Sequence, residues 1–197
     1  MGDAARLHIN NINIPLNRSG VIADVNFPPE GTLGWFEESH FLFSGGFMLS
    51  GYSNDTLWAN AVASSSLLQD YVPGTVAGGQ SDPRAQIYVL SSQDEPFGSS
   101  WQDWIDAVAL GADFYDGDGD GVYDPVDRNG NGKWDPDEDC PDIIGDEMVW
   151  CVYNDGIPAA QRTWNTVNPL GIEIRQSVFA FASAGAIGNI IFVRYRF

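Results

Sequence analysis

The sequence predicts a mainly β fold, with β-sandwich-like antiparallel sheets, one short helix and an irregular acidic loop insertion. Three observations carry this expectation. Short runs of β-branched and aromatic residues recur between Gly, Pro and Asn punctuation, as strands separated by tight turns require. Only one window repeats its apolar residues at helical spacing. Residues 113–146 have neither period and are dominated by Asp, Gly and Asn. With 197 residues and 44% hydrophobic content, the chain can bury a substantial core.

Residues 7–26 hold Leu7, Ile9, Ile12, Ile14, Val21, Ile22 and Val25, interrupted by Pro15 and a polar turn ending at Gly20, so short strands and a turn are expected. Residues 27–39 carry Pro28, Pro29, Gly31 and Gly34 and read as a loop. Residues 40–52 (HFLFSGGFMLSGY) and 57–62 read as buried strands joined by a polar turn at 53–56. Residues 67–76 end at the Pro73-Gly74 turn, 87–90 form a short apolar run, and 91–98 are a loop.

The helix is expected at about residues 101–110. Ser100 can cap it, and Trp101, Trp104, Ile105 and Val108 recur at i, i+3, i+4 and i+7, a stripe that reads as core before it reads as a carbohydrate platform. Asp103 suits the positive end of the helix dipole, and Gly111 ends the element. Residues 147–153 (EMVWCVY) read as a strand closing at an Asn154-Asp155-Gly156 turn, and 157–170 as a loop. Residues 172–182 and 190–197 read as a hairpin about 185–189, with Ile191, Val193, Tyr195 and Phe197 on one face of the last strand and Arg194 and Arg196 on the other. The expected organisation is a β-rich region with the helix at 1–112, the acidic loops at 113–146, and strands completing the sheet at 147–197.

The acidic segment contains two overlapping loops. Asp116, Asp118, Asp120, Gly121, Asp124 and Asp127 fall at positions 1, 3, 5, 6, 9 and 12 of a calcium loop. Asp127, Asn129, Asn131, Gly132, Asp135 and Glu138 repeat that spacing and match D-x-[DN]-x-[DN]-G-x5-E in full. Calcium takes six to eight hard oxygen ligands, so carboxylates and amides alternate and glycine takes the bend at position 6. The side chains are expected to ligate, together with the position-7 carbonyls of Val122 and Lys133, giving two Ca2+ ions with Asp127 common to both loops. Two loops offset by eleven residues leave no room for a helix between them, which excludes a paired EF-hand. The segment resembles the tandem acidic repeats of thrombospondin type 3 regions and, more loosely, dockerin calcium loops, a resemblance that implies calcium.

Nine basic and 27 acidic residues give a net charge of −18. Thirteen of the acids and only two bases, Arg128 and Lys133, lie in residues 113–147, so the acidity is local. Without a basic cluster, nucleic acid and anionic lipid are not expected partners. Two histidines and one lysine leave little for acid–base chemistry at neutral pH, and Glu37, Glu38 and Glu173 have no spacing that marks a catalytic pair. No H-E-x-x-H, G-x-S-x-G or phosphate loop is present, so no enzyme is expected. Cys140 and Cys151 enclose ten residues, and in an oxidising compartment a disulfide between them is expected; two free thiols are the alternative. The longest uncharged run, 177–193, is too short for a membrane span, so no membrane insertion is expected.

Several stretches together, INNINIPLNRSG, FSGGFMLSGY, DTLWANAVAS, GDEMVWCVYNDG and the last 29 residues from PLGIEIRQ onward, resemble the amino-terminal region of large surface proteins exported by the type IX secretion system of Gram-negative bacteria. The resemblance implies an extracellular or cell-surface location. The opening residues lack a basic and apolar signal segment, so a secreted form is expected to be a mature or trimmed piece. The expected function is a calcium-stabilised structural or adhesive surface module, including a self-assembling fibre or layer subunit that pairs with further copies of itself or with other domains of a parent protein. The alternative is a carbohydrate-binding module of a secreted multidomain protein. Asn54 stands in an Asn-Asp-Thr glycan acceptor pattern within a plain polar turn.

Overall fold

Alternation of apolar and polar residues builds thirteen strands and one helix in the computed structural model, which describes residues 2–26, 31–64 and 69–197. The strands are β1 (Ala4–Leu7), β2 (Ile12–Asn17), β3 (Gly34–Phe36), β4 (Ser39–Leu42), β5 (Met48–Ser53), β6 (Thr56–Ala61), β7 (Val72–Pro73) and β8 (Tyr88–Ser91), then β9 (Phe114–Tyr115), β10 (Cys140–Pro141), β11 (Glu147–Asn154), β12 (Glu173–Ala180) and β13 (Ile191–Arg196). The helix α1 spans Ser99–Ala109. The fold is mainly β, with antiparallel sheets, as the sequence predicts, and among the described residues no sheet closes into a barrel.

One sheet has the order β1-β2-β3-β4. A second runs β13-β12-β11-β7, with β8 also pairing along β11. The register follows burial. Val149, Cys151 and Tyr153 of β11 face Leu7, Ile14 and Leu16 of the first sheet, joined by Ile174 and Val178 of β12. The alternate residues Met148, Trp150 and Val152 share the other face with Leu90 and Tyr88 of β8 and pack against Trp104 and Ala107, so α1 covers that side. A strand buried on both faces needs a continuous apolar run, which explains EMVWCVY. Each large apolar side chain buried there contributes about 1.5–3 kcal/mol.

Several local expectations are corrected. β3 forms inside the segment read as a loop, where Gly34 lets β4 approach: a Cβ there would lie 3.1 Å from both Ile14 and Leu42. The segment 40–52 is not buried. Phe43, Met48 and Tyr52 are 67–76% exposed, and β5 and β6 form a separate ribbon. Its turn residues Asn54 and Asp55 both have positive φ (48° and 60°), the two-residue turn whose twist matches the flanking strands. The helix starts one residue beyond Gly98 with no side-chain cap, and no acid stands in its first turn. Ile105 is exposed, and Ala107 takes the buried position beside Trp104. Gly111, at φ +97°, follows the helix end as expected.

Residues 154–156 do not form a hairpin turn. The buried Asp155 carboxylate accepts the Leu170, Gly171 and Ile172 N–H groups at 2.6, 3.0 and 2.9 Å, so the chain makes a long excursion before β12. Buried Arg162 pairs with Asp155 and donates to Asn60 at 3.2 Å, which ties that excursion to β6. The 185–189 turn is present, as a 3-10 segment at Ala186–Asn189. Arg194 and Arg196 on one face of β13 reach Asp113, while Ile191 and Tyr195 pack on the first core. The expectations for residues 27–30 and for Leu67 and Leu68 lie outside the described residues.

Candidate metal centre

The acidic segment is closed at its base and docked on the helix. β9 and β10 pair through Tyr115 with Cys140 and Phe114 with Pro141, which brings its two ends together. Tyr123 is buried and donates its hydroxyl to the Trp101 carbonyl at 3.1 Å, while Gln102 donates to the Pro125 carbonyl at 2.9 Å. Trp104 donates its indole N–H to the Asp113 carbonyl at 2.9 Å. A solvated acidic tail would have none of these anchors.

Within the segment the two loops make the same hydrogen bonds eleven residues apart. Asp116 accepts the Gly119, Asp120 and Gly121 N–H groups at 2.8, 3.1 and 3.0 Å. Asp127 accepts Gly130, Asn131 and Gly132 at 2.7, 3.1 and 2.7 Å. Asp118 and Asn129 each accept the N–H two residues on, at 3.1 and 2.9 Å, and Asp120 and Asn131 do the same at 2.7 Å each. Gly119, Gly121, Gly130 and Gly132 all have φ between +72° and +80°, a region that favours glycine. Val122 and Lys133, the position-7 residues, turn their side chains to solvent.

The closing carboxylates differ from expectation. In the second loop, buried Glu138 accepts the N–H of Arg128 at 2.7 Å and of Asp135 at 3.0 Å, which are positions 2 and 9. In the first loop the matching acceptor is Asp139, which takes the N–H of Gly117 and of Asp124, again positions 2 and 9, both at 2.9 Å. Asp127 therefore does not close the first loop, because both its oxygens are turned into the second. Asp139 lies 23 residues beyond Asp116, outside any twelve-residue pattern. The signal in the sequence was the run Asp137-Glu138-Asp139, where one loop needs only one closing acid.

The donor set suits a hard divalent cation. One oxygen each of Asp116, Asp118 and Asp120 lies within 4.8 Å of the others. In the second loop the Asn129 and Asn131 amides converge on the same oxygen of Asp135, at 2.7 and 2.8 Å. Glu138 and Asp139 are each 1% exposed, and their carboxylates accept the backbone N–H groups of Arg128 and Asp135 and of Gly117 and Asp124. Buried carboxylates need a compensating charge, and metal coordination supplies one. Arg128 reaches across the loops to Asp118, and its guanidinium holds that carboxyl below the usual carboxylate range. Desolvation and the neighbouring Asp139 push Asp124 upward.

The expected Cys140–Cys151 disulfide is not formed, and both thiols are free. Strand alternation supplies the reason. Cys151 points into the core between the sheets, with its thiol toward the Asn17 carbonyl, whereas Cys140 stands across the second sheet beside the acidic loops. Burial pushes the Cys140 thiol up to about 11 and the Cys151 thiol up to about 12, so neither is a thiolate at neutral pH.

Comparison with family models, with curated proteins and with solved structures returned no match to this chain. No helix among the described residues is long and apolar enough to cross a membrane.

Proposed function

We propose that this chain is a calcium-stabilised structural or adhesive module of the extracellular surface, and that each acidic loop holds one Ca2+. The observation that carries the reading is the repeat of one hydrogen-bond pattern at an offset of eleven residues, closed by two adjacent buried carboxylates. In the first loop the ligands are the Asp116, Asp118, Asp120 and Asp139 side chains and the Val122 carbonyl, with Asp124 at position 9, where a water often intervenes. In the second they are the Asp127, Asn129, Asn131, Asp135 and Glu138 side chains and the Lys133 carbonyl. An ion in the first loop competes with Arg128 for Asp118. The ions neutralise charge where it is densest and brace a segment docked on α1 and pinned to the second sheet. Extracellular modules of this kind bind calcium at about 10⁻⁴–10⁻³ M, so millimolar calcium fills them.

The surface role rests on the resemblance to exported bacterial proteins and on the β5–β6 ribbon, whose strands carry no charged residue and leave Met48, Tyr52 and Leu57 exposed. Calorimetric titration of metal-free protein tests the metal reading: two Ca2+ per chain are expected, and a heat no larger than that of buffer refutes it. Magnesium should bind more weakly, since it demands tighter octahedral geometry.

A further inference from the structure

Beside the second acidic loop lies a cavity of about 240 Å³ whose walls include Leu90, Trp101, Trp134, Pro141 and Ile143. Trp134 lies between positions 7 and 9 of that loop and is 37% exposed. Its indole is fixed, donating to the Glu138 carbonyl at 2.9 Å and standing edge-on to Tyr115 at 5.6 Å. Trp101 is fixed at the start of α1, 5.3 Å from Phe97. The cavity therefore presents two positioned indoles beside Leu90, Pro141 and Ile143, with Ser91, Ser92, Asp94 and Cys140 completing its lining.

Size and polarity select the occupant. An apolar cavity of about 150 Å³ accepts benzene, so 240 Å³ holds one ring with a short substituent. Several polar groups of the lining are already engaged: Ser91 N–H donates to Asp94 at 2.9 Å, the Ser92 hydroxyl donates to Asp146 at 3.2 Å, and the Trp134 indole donates to the Glu138 carbonyl. A sugar would exchange its water hydrogen bonds for few replacements. Asp94 in the lining, with Asp139 and Asp142 beside Cys140, disfavours an anion.

We propose that this cavity is a binding site for a single uncharged aromatic ring, held between Trp101 and Trp134. The site does not depend on the metal reading, and its test is run at constant millimolar calcium. Benzyl alcohol, N-acetylphenylalanine amide and anionic N-acetylphenylalanine are titrated against ¹⁵N-labelled protein while the indole N–H signals of its seven tryptophans are followed. The Trp101→Phe and Trp134→Phe variants assign the two relevant signals.

Saturable shifts confined to those two indoles are expected for the neutral probes, with dissociation constants on the order of 1 mM, and binding about tenfold weaker for the anion. Trp134→Ala should weaken binding about tenfold, and Trp134→Phe should largely restore it. Equal binding of both neutral probes marks a free small aromatic as the source; binding of the blocked amino acid alone marks a peptide side chain. A second readout needs no variant, because the half-buried Cys140 thiol is itself in the cavity lining, so an occupied cavity should slow its alkylation. The absence of saturable shifts at Trp101 and Trp134, shifts spread evenly over all indoles, or unprotected Cys140 overturns the proposal.

Discussion

Asp139 and Asp127 show how much a single side chain decides here. If Asp139 closes the first loop, Asp139→Asn should reduce calorimetric stoichiometry from two Ca2+ to one, and Asp127→Asn should also leave one. A ligand shared by both ions would instead make Asp127→Asn lose both. Glu147, the first residue of β11, gives a pH-dependent prediction. Burial pushes its carboxyl above the ordinary range, only partly offset by the His8 N–H it accepts at 3.2 Å. The folded chain then holds that proton more tightly than the unfolded chain, so this group favours folding as pH falls through its raised pKa and disfavours it above. Glu147→Gln keeps an acceptor for His8 without the charge. Its melting temperature should exceed that of the parent at pH 7, and the gain should vanish near pH 4.

At the scale of elements, the metal segment depends on close backbone approach. A Cβ on Gly117 would lie 2.3 Å from the Glu138 carbonyl oxygen, a backbone atom that cannot swing aside, and the φ of Gly117 is not in the left-handed region. Gly117→Ala should therefore act by steric conflict alone, costing about 1–3 kcal/mol in urea unfolding and weakening calcium binding. Gly2, where a Cβ meets nothing within 4 Å, provides a neutral control. β11 illustrates the opposite kind of element, since its burial on both faces is written in an unbroken apolar run. The β5–β6 ribbon shares that apolar character yet leaves Met48, Tyr52 and Leu57 exposed, because neither core cluster packs against them. Composition alone cannot separate the two, because burial depends on what the rest of the chain places opposite.

For the whole molecule, removal of calcium should lower stability by mass action. With affinities of about 10⁻⁴–10⁻³ M and about 1 mM ion, each loop contributes roughly 0.4–1.4 kcal/mol. For a domain of this size that is about 2–4 °C per kcal/mol, so EDTA should lower the melting temperature by several degrees. A melting curve indifferent to EDTA would contradict the proposal. The mainly β class, the helix and its Gly111 stop, the long strands of the second sheet and the spacing of both acidic loops were legible in the sequence. All of them depend on periods or motifs within a dozen residues. The exposed ribbon, the Asp155–Arg162 anchor and the closing role of Asp139 were not, because each depends on partners far apart in the chain. The cysteines show the same division. Their separation permits a bridge, but strand alternation turns Cys151 into the core between the sheets, while Cys140 lies on the other side of β11. The sequence by itself determined the long strands of the second sheet and where hard oxygen donors cluster, because those are properties of local chemistry. Only the tertiary structure decided which carboxylate completes which loop and which apolar surface is covered, because burial and convergence are relations between distant segments that no local pattern records.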